Sequence, residues 1–216
     1  MKTNALIRFL SVTLLVTAPF IYLATIWQQL PDKVPTHFGM DGRPDGFSTK
    51  VGALVPIFMV MLVTLGVYFL IKNIDKIDPK RSQNSSKETF DKMAMLILVF
   101  MSGLALYIVH SMLTAQTGGF LFVILGLFFA GLGNFMHSIQ PNYFVGLRLP
   151  WTLENEDNWR KTHQLAGKMW FFGGLLIAIA ALLLPESATL ILMLVSILVM
   201  CLIPSIYSYR LYKTSI

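Results

Sequence analysis

The chain has 216 residues, of which 55% are hydrophobic and 13% charged, and its mean hydropathy is +0.65. Soluble domains carry roughly a quarter charged residues, so a water-exposed globule is excluded: there are too few charges to cover its core. The net charge of +6 fits the basic cytoplasmic loops of a membrane protein better than a nucleic-acid interface. Cys201 is the single cysteine, which excludes an intrachain disulfide and leaves it as a small hydrophobe.

A membrane helix needs about 20 apolar residues, so charged residues mark where spans end. The charge-free runs predict spans over 9–30, 51–71, 93–113, 120–136, 169–184 and 188–207. The first run is longer than a secretory signal core and is read as a retained helix. Thr114 to Gly119 turns the chain between the third and fourth spans, and Pro185-Glu186-Ser187 between the fifth and sixth. The expected fold is therefore all-α, a polytopic integral membrane protein of six transmembrane helices. With the N-terminus inside, fourteen of the 17 Lys and Arg residues fall in cytoplasmic segments, and only Lys33, Arg43 and Lys50 outside. The positive-inside rule then places both termini in the cytoplasm. The domain reading is an N-terminal module, 1–72, a Lys- and Ser-rich linker, 73–91, and a second module, 92–216.

The one sizeable external segment is 31–50. Pro31, Asp32, Pro35, His37, Asp41, Gly42, Asp45 and Lys50 make it rich in turn chemistry, so it is expected to be compact, with a short strand near 34–38. His37 with Asp32, Asp41 and Asp45 has three readings. These side chains serve as turn formers, contact a ligand directly, or bind a metal, although no calcium-loop spacing is present. No metal and no cofactor is assigned.

In the fourth span Gly126, Ala130 and Gly133 line one face, with Asn134 extending it; small residues at this spacing let a neighbouring helix approach. Beyond it lies the cytoplasmic loop 137–167. Pro141 ends the helix, and Arg148 offers a planar fork suited to a carboxylate, a phosphate or helix carbonyls. After Trp151, acidic residues precede basic ones, the order a helix dipole favours. Trp159, His163, Ala166 and Trp170 share one face. The expectation is an amphipathic helix, lying at the interface or leading into the fifth span, with its indoles at headgroup level.

Here the sequence resembles a known family. Gly133-Asn134, Pro141-Asn142, and Gly146-Leu147-Arg148-Leu149-Pro150-Trp151-Thr152-Leu153 followed by Trp159 resemble the signature of the SdpI family, membrane immunity proteins against the sporulation-delaying toxin of bacilli. Leu149 departs from the small or polar residue expected there. Leu30 to Phe38, then Gly42-Arg43-Pro44-Asp45 and Lys50, are similar to a module of unknown function that often accompanies it. The resemblance implies a protein of the bacterial cytoplasmic membrane that protects its cell from a secreted peptide toxin. It further implies, for some members, capture of a cytoplasmic transcriptional repressor when toxin is present.

Candidate toxin or ligand contacts are then the eight external residues named above. Asn134, Pro141, Asn142, Gly146, Arg148, Pro150, Trp151, Thr152 and Trp159 are candidates for loop structure or partner docking. The competing classes are a transporter and a membrane enzyme. No Asp or Glu lies inside a span, no nucleophile stands beside a base, and Pro19, Pro56 and Pro204 form no matched pair of broken helices. A binding protein without catalysis is expected.

Overall fold

The computed structural model describes residues 2–39, 42–78, 87–116 and 118–214, the side chains of 2–5 and 75 excepted. Asp41 and residues 79–86 of the linker lie outside the described residues. The elements are α1 (Lys2–Ile26), β1 (Lys33–Phe38), β2 (Pro44–Thr49), α2 (Leu54–Lys72), the single turn α3 (Ile74–Ile77), α4 (Lys87–Thr114), α5 (Phe120–Met136), the short α6 (Pro150–Glu154), α7 (Glu156–Leu183) and α8 (Glu186–Thr214). Five of these helices are long and apolar enough to cross a membrane. The sixth, α5, has 17 residues, about 25 Å of helix, at the short end of what a bilayer requires. Large apolar side chains such as Phe58, Leu62, Leu182 and Leu183 stand exposed along the helices, as lipid-facing surfaces do. The chain is a polytopic, helical membrane protein.

The helices associate in two groups joined through α4 and α5. α1 and α2 both pack on α4, while α5, α7 and α8 pack together. At the cytoplasmic end the first group buries Tyr68, Ile71, Ile74, Phe90, Met93 and Leu98, and Trp159 of α7 completes that cluster. At the opposite end Leu23, Ile26, Leu30, Ile57, Val109 and Met112 form a second cluster that receives Val34 of the hairpin. The α5–α7 seam is closest: a Cβ at Gly133 would collide with the main chain of Gly167 and Phe171, and one at Gly126 with that of Gly174 and Ala178. Small residues thus oppose small residues on both helices, letting the backbones meet. Asn134 lies about 100° around the helix from Gly133. It is exposed and does not extend the seam as the spacing implied.

The two groups are also stitched at both ends. On the outer side Gly42, near the hairpin tip, lies against the carboxylate of Glu186 at the start of α8. On the inner side the Tyr143 amide donates to Asp78 Oδ2 at 3.2 Å. Arg8 pairs with Asp91 at 2.9 Å, tying α1 to α4.

Candidate functional site

The external segment folds as an antiparallel hairpin, pairing Lys33 with Thr49, Val34 with Ser48 and Pro35 with Phe47 before a register irregularity at His37. The Lys50 amide donates to the Asp32 carbonyl at 3.0 Å, closing its base. Lys50 Nζ lies 5.2 Å over the Trp27 ring. Val34 and Pro35 point inward, whereas Thr36, His37 and Asp45 face water. His37 Nδ1 and Asp45 Oδ1 are hydrogen-bonded across the strands. Pro31 and Asp32 are exposed at the base of the hairpin. Phe47 is 57% exposed, an unusual place for an apolar ring on a water-facing hairpin. Among the described residues, no group of three metal-ligating side chains converges.

At the cytoplasmic end, the residues from Pro141 to His163 form one tightly bonded unit. Pro141 is buried, as is Asn142, which bonds four main-chain groups. Its Nδ2 donates to the carbonyls of Gln140 (2.9 Å) and Val145 (3.0 Å), and its Oδ1 accepts from the amides of Phe144 (2.9 Å) and Val145 (2.7 Å). Gly146 follows at φ +112°, where any Cβ would strike the His163 ring. This glycine lets the Leu147 amide donate to His163 Nε2 at 3.0 Å. Thr152 Oγ1 accepts from the Leu149 amide at 2.9 Å and donates toward the Leu147 carbonyl at 2.8 Å. Arg148 donates through one nitrogen to the Tyr143 carbonyl at 2.6 Å. The fork therefore holds a loop carbonyl and leaves its bidentate geometry unused.

Pro150 starts α6 at its first helical position, where its missing N–H costs nothing. Asn155 then caps α7 by accepting from the Asn158 amide at 2.9 Å. α7 runs unbroken into the membrane, so of the two predicted arrangements the helix leading into the span is the one observed. Its apolar run begins after Lys168, which leaves the first three turns outside the hydrocarbon.

The indoles of that face are bonded within the protein: Trp170 donates to the Met200 carbonyl at 3.2 Å. Trp159 is 1% exposed and donates to the Ile139 carbonyl at 2.7 Å. Trp151 donates to Ser208 Oγ at 2.8 Å and lies against Tyr209 and Tyr212. Each indole N–H finds a protein acceptor, so lipid headgroups are not needed to satisfy it. Ser208 in turn donates to Asn158 Oδ1 at 2.9 Å, which also accepts from Thr162. Among the described residues, no buried side-chain nitrogen or oxygen lacks a partner.

His163 was visible in the sequence only as one position of an amphipathic face, yet it is central to this unit. It stacks on Trp159 with ring centroids 4.0 Å apart. Nε2 must be unprotonated to accept from Leu147, so the proton sits on Nδ1, 2.9 Å from the Trp159 carbonyl oxygen. Burial pushes its pKa from 6.5 down to about 4, because a charged ring there would lose its hydration. Hydrogen bonds from Lys161 and Arg160 hold the exposed Asp157 carboxyl below its usual range. Beside Trp159 and His163 opens a cavity of about 400 Å³ lined also by His137, Gln140, Arg160 and Gln164.

Residues 138–208 match the SdpI/YfhL protein family. Over those residues the chain resembles that family. Residues 14–61, which include the hairpin, match a domain of unknown function, DUF1648. The chain is similar to "Immunity protein SdpI" of Bacillus subtilis (strain 168), 26% identical over 208 residues, covering 93% of both chains. No solved structure matches. The SdpI/YfhL segment spans the bonded loop, α7 and most of α8, and the chain is a multi-pass protein of the cytoplasmic membrane.

Proposed function

We propose that this protein is a membrane immunity protein that protects the cell producing it from a secreted peptide toxin. The observation carrying this reading is the similarity over 93% of the chain to a protein named for immunity. Recognition starts at the hairpin, where His37, Asp45 and the exposed Phe47 offer polar and apolar contacts on one rigid platform. The inner end has a second role, in which the cavity beside Trp159 and His163 docks a cytoplasmic transcriptional repressor. Neither role requires a chemical step, and the protein acts by binding. The test is expression in a sensitive bacterium followed by a dose series of sporulation-delaying peptide toxin. Survival at doses that kill the control supports the reading. Unchanged killing, with the protein present in the membrane, sinks it.

A further inference from the structure

We propose that the groove between α1 and α2 binds one anionic phospholipid of the cytoplasmic leaflet, its phosphate held by Arg8 and Lys72. α1 and α2 both pack on α4 but make no extended contact with each other. Between them lies a lateral groove of about 670 Å³, walled by Phe9, Val12, Thr13 and Phe69, with Tyr68, Arg8 and Lys72 completing it. The two cations stand where these helices leave the bilayer, and the apolar wall runs from them toward the hydrocarbon.

Charge complementarity selects the occupant. Lys72 Nζ lies 5.8 Å over the Tyr68 ring, with no carboxylate beside it among the described residues. Arg8 bonds Asp91 through one nitrogen and remains 39% exposed, so donors of its five-donor fork are left over. Two cations against one carboxylate leave a single positive charge, the complement of one phosphodiester. Basic pockets between helices on the cytoplasmic side are where anionic headgroups bind. A free phosphate would leave Phe9, Val12 and Phe69 without a partner. The helix of a second copy would seal both cations against apolar surface, which is costly in a membrane. An acyl chain attached to a phosphate satisfies both parts of the groove. This inference is independent of the immunity reading.

The test is native mass spectrometry of the full chain released from detergent with phosphatidylglycerol or phosphatidylcholine of identical acyl chains. One phosphatidylglycerol should be retained in preference, and inorganic phosphate should not displace it. Lys72→Gln should weaken retention about fivefold, the worth of one cation at a membrane surface. Val12→Trp, which fills the groove without changing charge, should also weaken it; neither substitution replaces a member of the Arg8–Asp91 pair. Equal retention of the two lipids, displacement by phosphate, indifference to both substitutions, or a dimer in place of bound lipid would each overturn the proposal.

Discussion

Asn142 shows how much one side chain can organise. It holds four main-chain groups of a loop that has no regular ladder of its own. Removing it leaves buried donors and acceptors unpaired, so Asn142→Ala should cost about 2–4 kcal/mol, read as a fall in the thermal midpoint of the purified protein. His163 adds a pH dependence of known sign. The denatured chain takes up its imidazole proton near pH 6.5 and the native chain only near 4. Between those values the denatured state binds more protons, so stability drops as pH falls from 6.5 toward 4 and this contribution is complete above 6.5. Thermal midpoints measured across that window should decline in the wild type. In His163→Gln, which retains an acceptor but cannot titrate, the decline should be shallower. An identical slope in both proteins would remove His163 from the account.

At the scale of elements, the α5–α7 seam is the least forgiving surface. Its backbones approach too closely to admit a Cβ at Gly126 or Gly133, and packed interiors resist added volume. Gly133→Leu should therefore force the helices apart at a cost of about 1–3 kcal/mol or more. Gly66, on α2, has open space around it, so Gly66→Ala should be tolerated or mildly stabilising through helix propensity. Membrane accumulation and thermal midpoint of the two variants separate these outcomes; equal loss in both would mean that glycine content, and not the seam, matters. α7 explains why the seam and the loop act together. One continuous helix carries Gly167 and Gly174 against α5, and His163 and Trp159 against the loop.

For the whole molecule, orientation and the proposed division of labour can be tested at the two ends. A cysteine at Thr36, on the hairpin, should react with an impermeant thiol reagent in intact cells, and one at Ser85 should be shielded; the reverse pattern would invert the topology. The ends are about 30 Å apart across the hydrocarbon, so variants at one end should leave the role of the other intact. His37→Ala with Asp45→Ala should weaken toxin tolerance. Arg160→Ala with Gln164→Ala, both exposed at the inner cavity, should spare tolerance and reduce induction of a repressor-controlled reporter. Trp159→Ala is unsuited to this comparison, because its burial in the shared core predicts loss of both activities. If the surface variants lose both in proportion, the two ends work as one unit.

The succession of apolar helices and the compact hairpin between the first two were legible in the chain itself, because burial in lipid is decided locally by runs of apolar residues and by where Lys and Arg stop them. The small face of α5 and the turn-rich character of both loops were legible for the same reason. What covers each face was not, since it depends on residues far apart in the chain. Only tertiary structure paired Gly133 with Gly167, set Gly42 against Glu186, and joined Tyr143 to Asp78. Trp159 illustrates the difference best. Its spacing marks an amphipathic helix, and an indole on such a helix satisfies its N–H equally well at a headgroup or at a carbonyl. The folded chain brings the Ile139 carbonyl within 2.7 Å, and that long-range contact turns a surface anchor into a core residue.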